Sequence, residues 1–84
     1  MKVELKLFAM LSDYLPADAR RSNRIDLELD PGTTPAQVIE RLSLPLKQCH
    51  LVLINGVFVP PEARAVRALV DGDALAIWPP IAGG

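Results

Sequence analysis

The sequence predicts an α+β domain in which a mixed sheet of about five strands packs on one main helix. Three observations lead there. Lys2–Phe8 and Ile25–Asp30 alternate apolar and polar residues with the period of a half-buried strand. The segment after Thr34 carries a full helix-start signature. Asn55-Gly56, set between apolar runs, is the strongest short-range hairpin signal a sequence offers.

The elements follow in order. In the first strand Val3, Leu5 and Leu7 share the core face, with Lys2, Glu4 and Lys6 opposite. Ala9–Leu15 reads as a short helical turn offering Met10, Leu11, Tyr14 and Leu15 for packing, and Pro16 stops it. Ala17–Arg24 is polar and loop-like. The second strand sets Ile25, Leu27 and Leu29 against Asp26, Glu28 and Asp30, and ends at Pro31-Gly32. The helix then starts with Thr34 as N-cap, Pro35 in the first turn and Gln37 completing a capping box. Val38, Ile39 and Leu42 form its inward stripe, and Leu44-Pro45 closes it. Leu51–Ile54, the Asn55-Gly56 turn and Val57–Val59 make a hairpin that Pro60-Pro61 ends. Glu62–Val70 is a connection with room for one helical turn. Asp71-Gly72-Asp73 turns the chain into a last strand, Ala74–Trp78. Strand, strand, helix and three strands in that order suit a β-grasp sheet. One helix covers only one face of it.

Size and composition exclude several function classes. The 84 residues make one domain with a single modest core, so function must sit on the outside or on a tail. A net charge of −1 argues against nucleic acid, which calls for a strong basic face. The local basic cluster Arg20, Arg21 and Arg24 reads as a solvated loop. One cysteine makes no intramolecular disulfide and no soft-ligand metal site. Cys49 and His50, as strand neighbours, point to opposite faces and do not converge on a metal or substrate. The N-terminus opens on alternating charge and no stretch has membrane-spanning length. A soluble, cytoplasmic protein without bound cofactor or metal is expected.

Two features carry the functional expectation. Strand parity sends Phe8, Phe58 and Trp78 to the face the helix leaves bare, and clustered exposed aromatics mark interface cores. Beyond Trp78 the chain reads Pro79-Pro80-Ile81-Ala82-Gly83-Gly84. Proline cannot donate to a sheet ladder and holds its predecessor extended. Residues 1–78 therefore form the domain and 79–84 an extended tail, which reaches about 20 Å when fully stretched. A tip of Gly83 and Gly84 has no Cβ, fits a narrow tunnel, and presents the carboxylate of Gly84.

Leu7-Phe8-Ala9, Asp71-Gly72-Asp73 and Pro79-Pro80-Ile81-Ala82-Gly83-Gly84 together resemble the ThiS/MoaD group of ubiquitin-like sulfur carriers, nearest its molybdopterin synthase small-subunit branch. The resemblance spans the whole element order and is sharpest over Asp71–Gly84. It implies that an adenylating enzyme of MoeB/ThiF type consumes ATP to activate the Gly84 carboxylate. A sulfur donor then leaves a Gly84 thiocarboxylate. A MoaE-like large subunit uses that sulfur to build the dithiolene of molybdopterin. It also implies that Phe8, Phe58 and Trp78, with the tail residues Pro79, Pro80, Ile81 and Ala82, meet the partners. The chain is not catalytic alone. The thiazole and tungsten-cofactor branches, a ubiquitin-like protein tag, and an interaction module with an inert tail remain open alternatives. Acceptor, sulfur donor and oligomeric state are not legible.

Overall fold

The computed structural model describes residues 1–80. It is a β-grasp fold. The strands are β1 (Lys2–Leu7), β2 (Arg24–Glu28), β3 (Leu51–Ile54), β4 (Val57–Phe58) and β5 (Ala74–Trp78), and the helix α1 spans Pro35–Arg41. They form a five-stranded sheet in the order β2-β1-β5-β3-β4. The first and last strands pair in parallel at its centre, with Leu5 opposite Leu75 and Leu7 opposite Ile77. The other pairs are antiparallel.

The core follows the alternation. Val3, Leu5, Leu7, Val52, Ile54, Leu75 and Ile77 are all buried on the face that α1 covers with Val38 and Ile39. The helix begins as its sequence dictates. The Thr34 hydroxyl accepts from the Gln37 amide at 3.3 Å, and the Gln37 side chain accepts from the Thr34 amide at 3.0 Å. These two bonds satisfy donors that a helix start otherwise leaves open. Leu42 caps the helix and is half-buried, so its last turn ends a little earlier than Leu44-Pro45 implies.

The local differences have plain causes. Ala9–Tyr14 is a 3₁₀ helix in which only Leu11 reaches the core, and Leu15, its extended C-cap, is buried just beyond it. Met10 and Tyr14, expected to pack, are 48% and 41% exposed. In the edge strand β2, Ile25 and Leu27 are half-buried because no further strand among the described residues lies beyond that edge. The connection after β4 holds one 3₁₀ turn, Pro61–Ala63. Cys49 and His50 precede β3 rather than lying in it. They still diverge, Cys49 buried and His50 exposed.

Asp71-Gly72-Asp73 does structural work. The buried Asp73 carboxylate accepts from the Asn55 side-chain amide and from the Val70 backbone amide, each at 2.9 Å. Asn55 in turn accepts from the Ala74 amide, and Asp71 accepts from the Lys2 amide at 2.7 Å. Gly72 sits at φ +89°, where a side chain is strained. The turn thus ties the start of β5 to β1 and to the β3–β4 hairpin. Asp73→Ala leaves two donors without this partner and is expected to lower stability by about 3 kcal/mol. Urea denaturation checks this, and a loss below about 1 kcal/mol would show that the network is dispensable.

Candidate functional site

The bare face of the sheet is divided sharply down its middle. On one half, register places Lys2 opposite Glu28, Glu4 opposite Asp26 and Lys6 opposite Arg24. Glu4 pairs with Arg24 at 3.0 Å and with Lys6 at 3.5 Å, and Lys2 with Asp26 at 3.6 Å. These exposed pairs contribute little stability, but they keep that half wetted. The other half is apolar. Ala74, Ala76 and Trp78 of β5 lie beside Leu51 and Leu53 of β3, and Leu53 lies opposite Phe58 of β4.

Phe8 completes the apolar half. Its amide donates to the Ile77 carbonyl at 3.3 Å, extending the β1–β5 pairing by one residue. Ala9 then turns at φ 52° and takes the chain away. The Phe8 ring is left stacked on Trp78, with ring centroids 3.8 Å apart and planes 6° from parallel. Both are half-buried, whereas Phe58 is 50% exposed at the sheet edge. The three aromatics therefore share the bare face as parity predicts. Phe58, however, joins the stacked pair only through Ala76 and Leu53. The sequence does not single out Leu51 and Leu53, because Leu51–Ile54 is continuously apolar, which hides its parity. Their register against Ala76 and Trp78 reveals it. The small Ala74 and Ala76 keep the β5 ridge low between the aromatics.

The apolar half adjoins the root of the C-terminal segment. The Trp78 carbonyl accepts from the His50 amide at 3.0 Å, so β5 stays laddered to its last residue. Pro79 is buried and Pro80 exposed. Of the two prolines assigned to the tail, Pro79 packs on the domain and only Pro80 offers open side-chain surface. Ile81, Ala82, Gly83 and Gly84 lie outside the described residues.

The remaining candidates do not assemble into a site. Arg20 donates to the carbonyls of Leu15 and Asp13, while Arg24 pairs with Glu4, so the basic cluster is dispersed. Burial pushes the Cys49 thiol pKa up against the opposing pull of Arg64, which makes it a poor nucleophile. Among the described residues no group of three or more His, Cys, Asp or Glu is placed to hold a metal ion. No described helix is long and apolar enough to cross a membrane.

A β-grasp sheet with one helix, and an apolar half-face beside the root of a glycine-tipped segment, define a ubiquitin-like protein. A profile of the ThiS family matches residues 14–84, and the chain belongs to that family. Among solved structures it is similar to the Haloferax volcanii HVO 2177 protein, at 28% identity and a TM-score of 0.77, covering 100% of this chain and 87% of that one. It shares its fold with SAMP1, also from Haloferax volcanii, at 24% identity and a TM-score of 0.70, covering all of both chains. The fold recurs in a complex of subunits 1 and 2 of the molybdopterin-converting factor from Helicobacter pylori, at 18% identity and a TM-score of 0.63, again over 100% of each chain. No curated protein sequence matches the chain.

Proposed function

We propose that this protein is a sulfur carrier, the small subunit of a molybdopterin synthase, with the Gly84 carboxylate as its reacting group. The observation that carries the reading is the placement of an apolar half-face directly at the root of the glycine-tipped segment, in a chain of the ThiS family. In this reading a MoeB/ThiF-like enzyme docks there, and the Gly84 carboxylate attacks the α-phosphate of ATP and expels pyrophosphate. A carboxylate is a poor electrophile until it is held as such a mixed anhydride. Hydrosulfide attacks the acyl carbon, AMP leaves and the thiocarboxylate forms directly; a persulfide donor gives an acyl disulfide instead, which a thiol cleaves to the thiocarboxylate, leaving a disulfide with the donor. The MoaE-like large subunit then receives the same face and positions the sulfur against a pterin precursor, an advantage of orientation rather than of acid–base chemistry. This chain contributes the nucleophile and the docking surface, and its partners contribute the bases and cations.

The likeness of fold to SAMP1, a small archaeal modifier protein, supports a second reading, attachment of the same terminus to lysines. Both readings begin with activation of Gly84 and diverge at the nucleophile. Incubated with an adenylating enzyme, ATP and a sulfur source, the chain is expected to gain the mass of one sulfur less one oxygen, confined to its C-terminal peptide and stable to reductant. Reductant treatment separates this product from a Cys49 persulfide. Isopeptide-linked conjugates without any thiocarboxylate would favour the modifier reading. Transfer to a thiazole or a tungsten cofactor instead of molybdopterin would change the pathway and keep the chemistry.

A further inference from the structure

The helix side of the molecule carries a second surface, separate from the bare sheet face. Two hollows of about 430 and 500 Å³ meet at Ala36, Ile39 and Leu46, forming one groove along the flank of α1. Its apolar wall is conspicuous because Leu46 is 77% exposed. One end carries the cations Lys47 and Arg64, with His50 beside them. The Arg64 guanidinium donates to the carbonyls of Val59, Cys49 and His50, each at 3.0 Å. It is thus fixed in place at little further entropic cost, with two of its five N–H groups left over. The Arg64 carbonyl accepts from the Ala36 amide at 2.9 Å, which fixes this end of the groove to α1.

Neither Lys47 nor Arg64 has a carboxylate partner among the described residues, where the ion pairs all lie on the N-terminus, β1 and β2. Of the charged side chains lining the two hollows, Lys47 and Arg64 stand at one end and the Glu40 carboxylate at the other, so the groove is polarised although the whole chain has a net charge of −1. We infer that this groove docks an apolar segment of a partner protein that carries carboxylates at one end, its apolar side chains against Ile39 and Leu46 and its carboxylates on Lys47 and Arg64. Such a contact leaves the apolar half of the bare sheet face free, so a second partner engages the carrier there at the same time.

The test is an NMR titration of the full ¹⁵N-labelled chain with two capped hexapeptides, LALFDE and its charge-reversed form LALFKK. LALFDE is expected to shift the amides of Leu46, Lys47 and Ala65, with saturation weakened at least about tenfold by Lys47→Glu or by exchanging the peptide for LALFKK. Leu46→Asp, at an exposed position, is expected to remove binding while leaving the rest of the spectrum in place. Equal binding of the two peptides, shifts confined to Leu53, Phe58 and Trp78, or no shifts at all would each overturn the inference.

Discussion

Appending one alanine after Gly84 is expected to abolish thiocarboxylate formation and leave the melting temperature unchanged. The added residue moves the terminal carboxylate about 3.5 Å further along the chain and puts a Cβ at the tip. An adenylating site that holds the carboxylate against the α-phosphate tolerates no such displacement, because the rate advantage of a bound reactant is lost within about 1 Å. Stability is spared because the core among the described residues already closes on Ile77 and Pro79. Mass spectrometry of the intact chain after reaction reads the first effect and a thermal melt the second. Thiocarboxylate on an extended, uncleaved chain would reject the mechanism. A fall in melting temperature would instead show that the terminus belongs to the folded domain.

Phe58→Ala is expected to weaken binding of the adenylating enzyme by about 2 kcal/mol, close to thirtyfold, with little change in stability. Phe58 stands half-exposed on a two-residue edge strand, so its removal opens no cavity in the monomer. Trp78→Ala provides the contrast. Trp78 is half-buried and stacked on Phe8, so its loss costs fold stability as well as binding. Calorimetric titration against the enzyme, paired with denaturation of each variant, separates the two. If Phe58→Ala destabilises the fold as much as Trp78→Ala does, the apolar half-face serves the monomer rather than a partner.

What was legible followed local rules. The alternation at Lys2–Leu7 and Ala74–Trp78 orients those side chains because successive residues on a strand must face opposite ways. The capping box at Thr34 and Gln37 places the helix start because the orphan amides of a helix need those acceptors. Where period two failed, the cause was a sequence without contrast, as at Leu51–Ile54, or a 3₁₀ geometry that a short window does not distinguish from an α-helix. The groove beside Leu46 and Arg64 was not legible either. Its walls come from α1 and from the 3₁₀ turns Leu46–Gln48 and Pro61–Ala63, which are separate in sequence, and the role of the Asp71-Gly72-Asp73 turn rests on long-range bonds to Asn55 and Lys2 that no local pattern encodes.

The sequence by itself determined the element order, the core face of the first and last strands and the helix start, all of which depend on residues close together in the chain. The β-grasp expectation makes β1 and β5 neighbours, but only the tertiary structure decided their parallel register, since that contact joins residues some 70 positions apart. That one pairing stacks Phe8 on Trp78, and with β3 beside it the apolar half of the bare face is assembled against the charged half on β1 and β2. Side-chain direction is a local property of a strand, whereas the neighbours a side chain meets are set by long-range pairing.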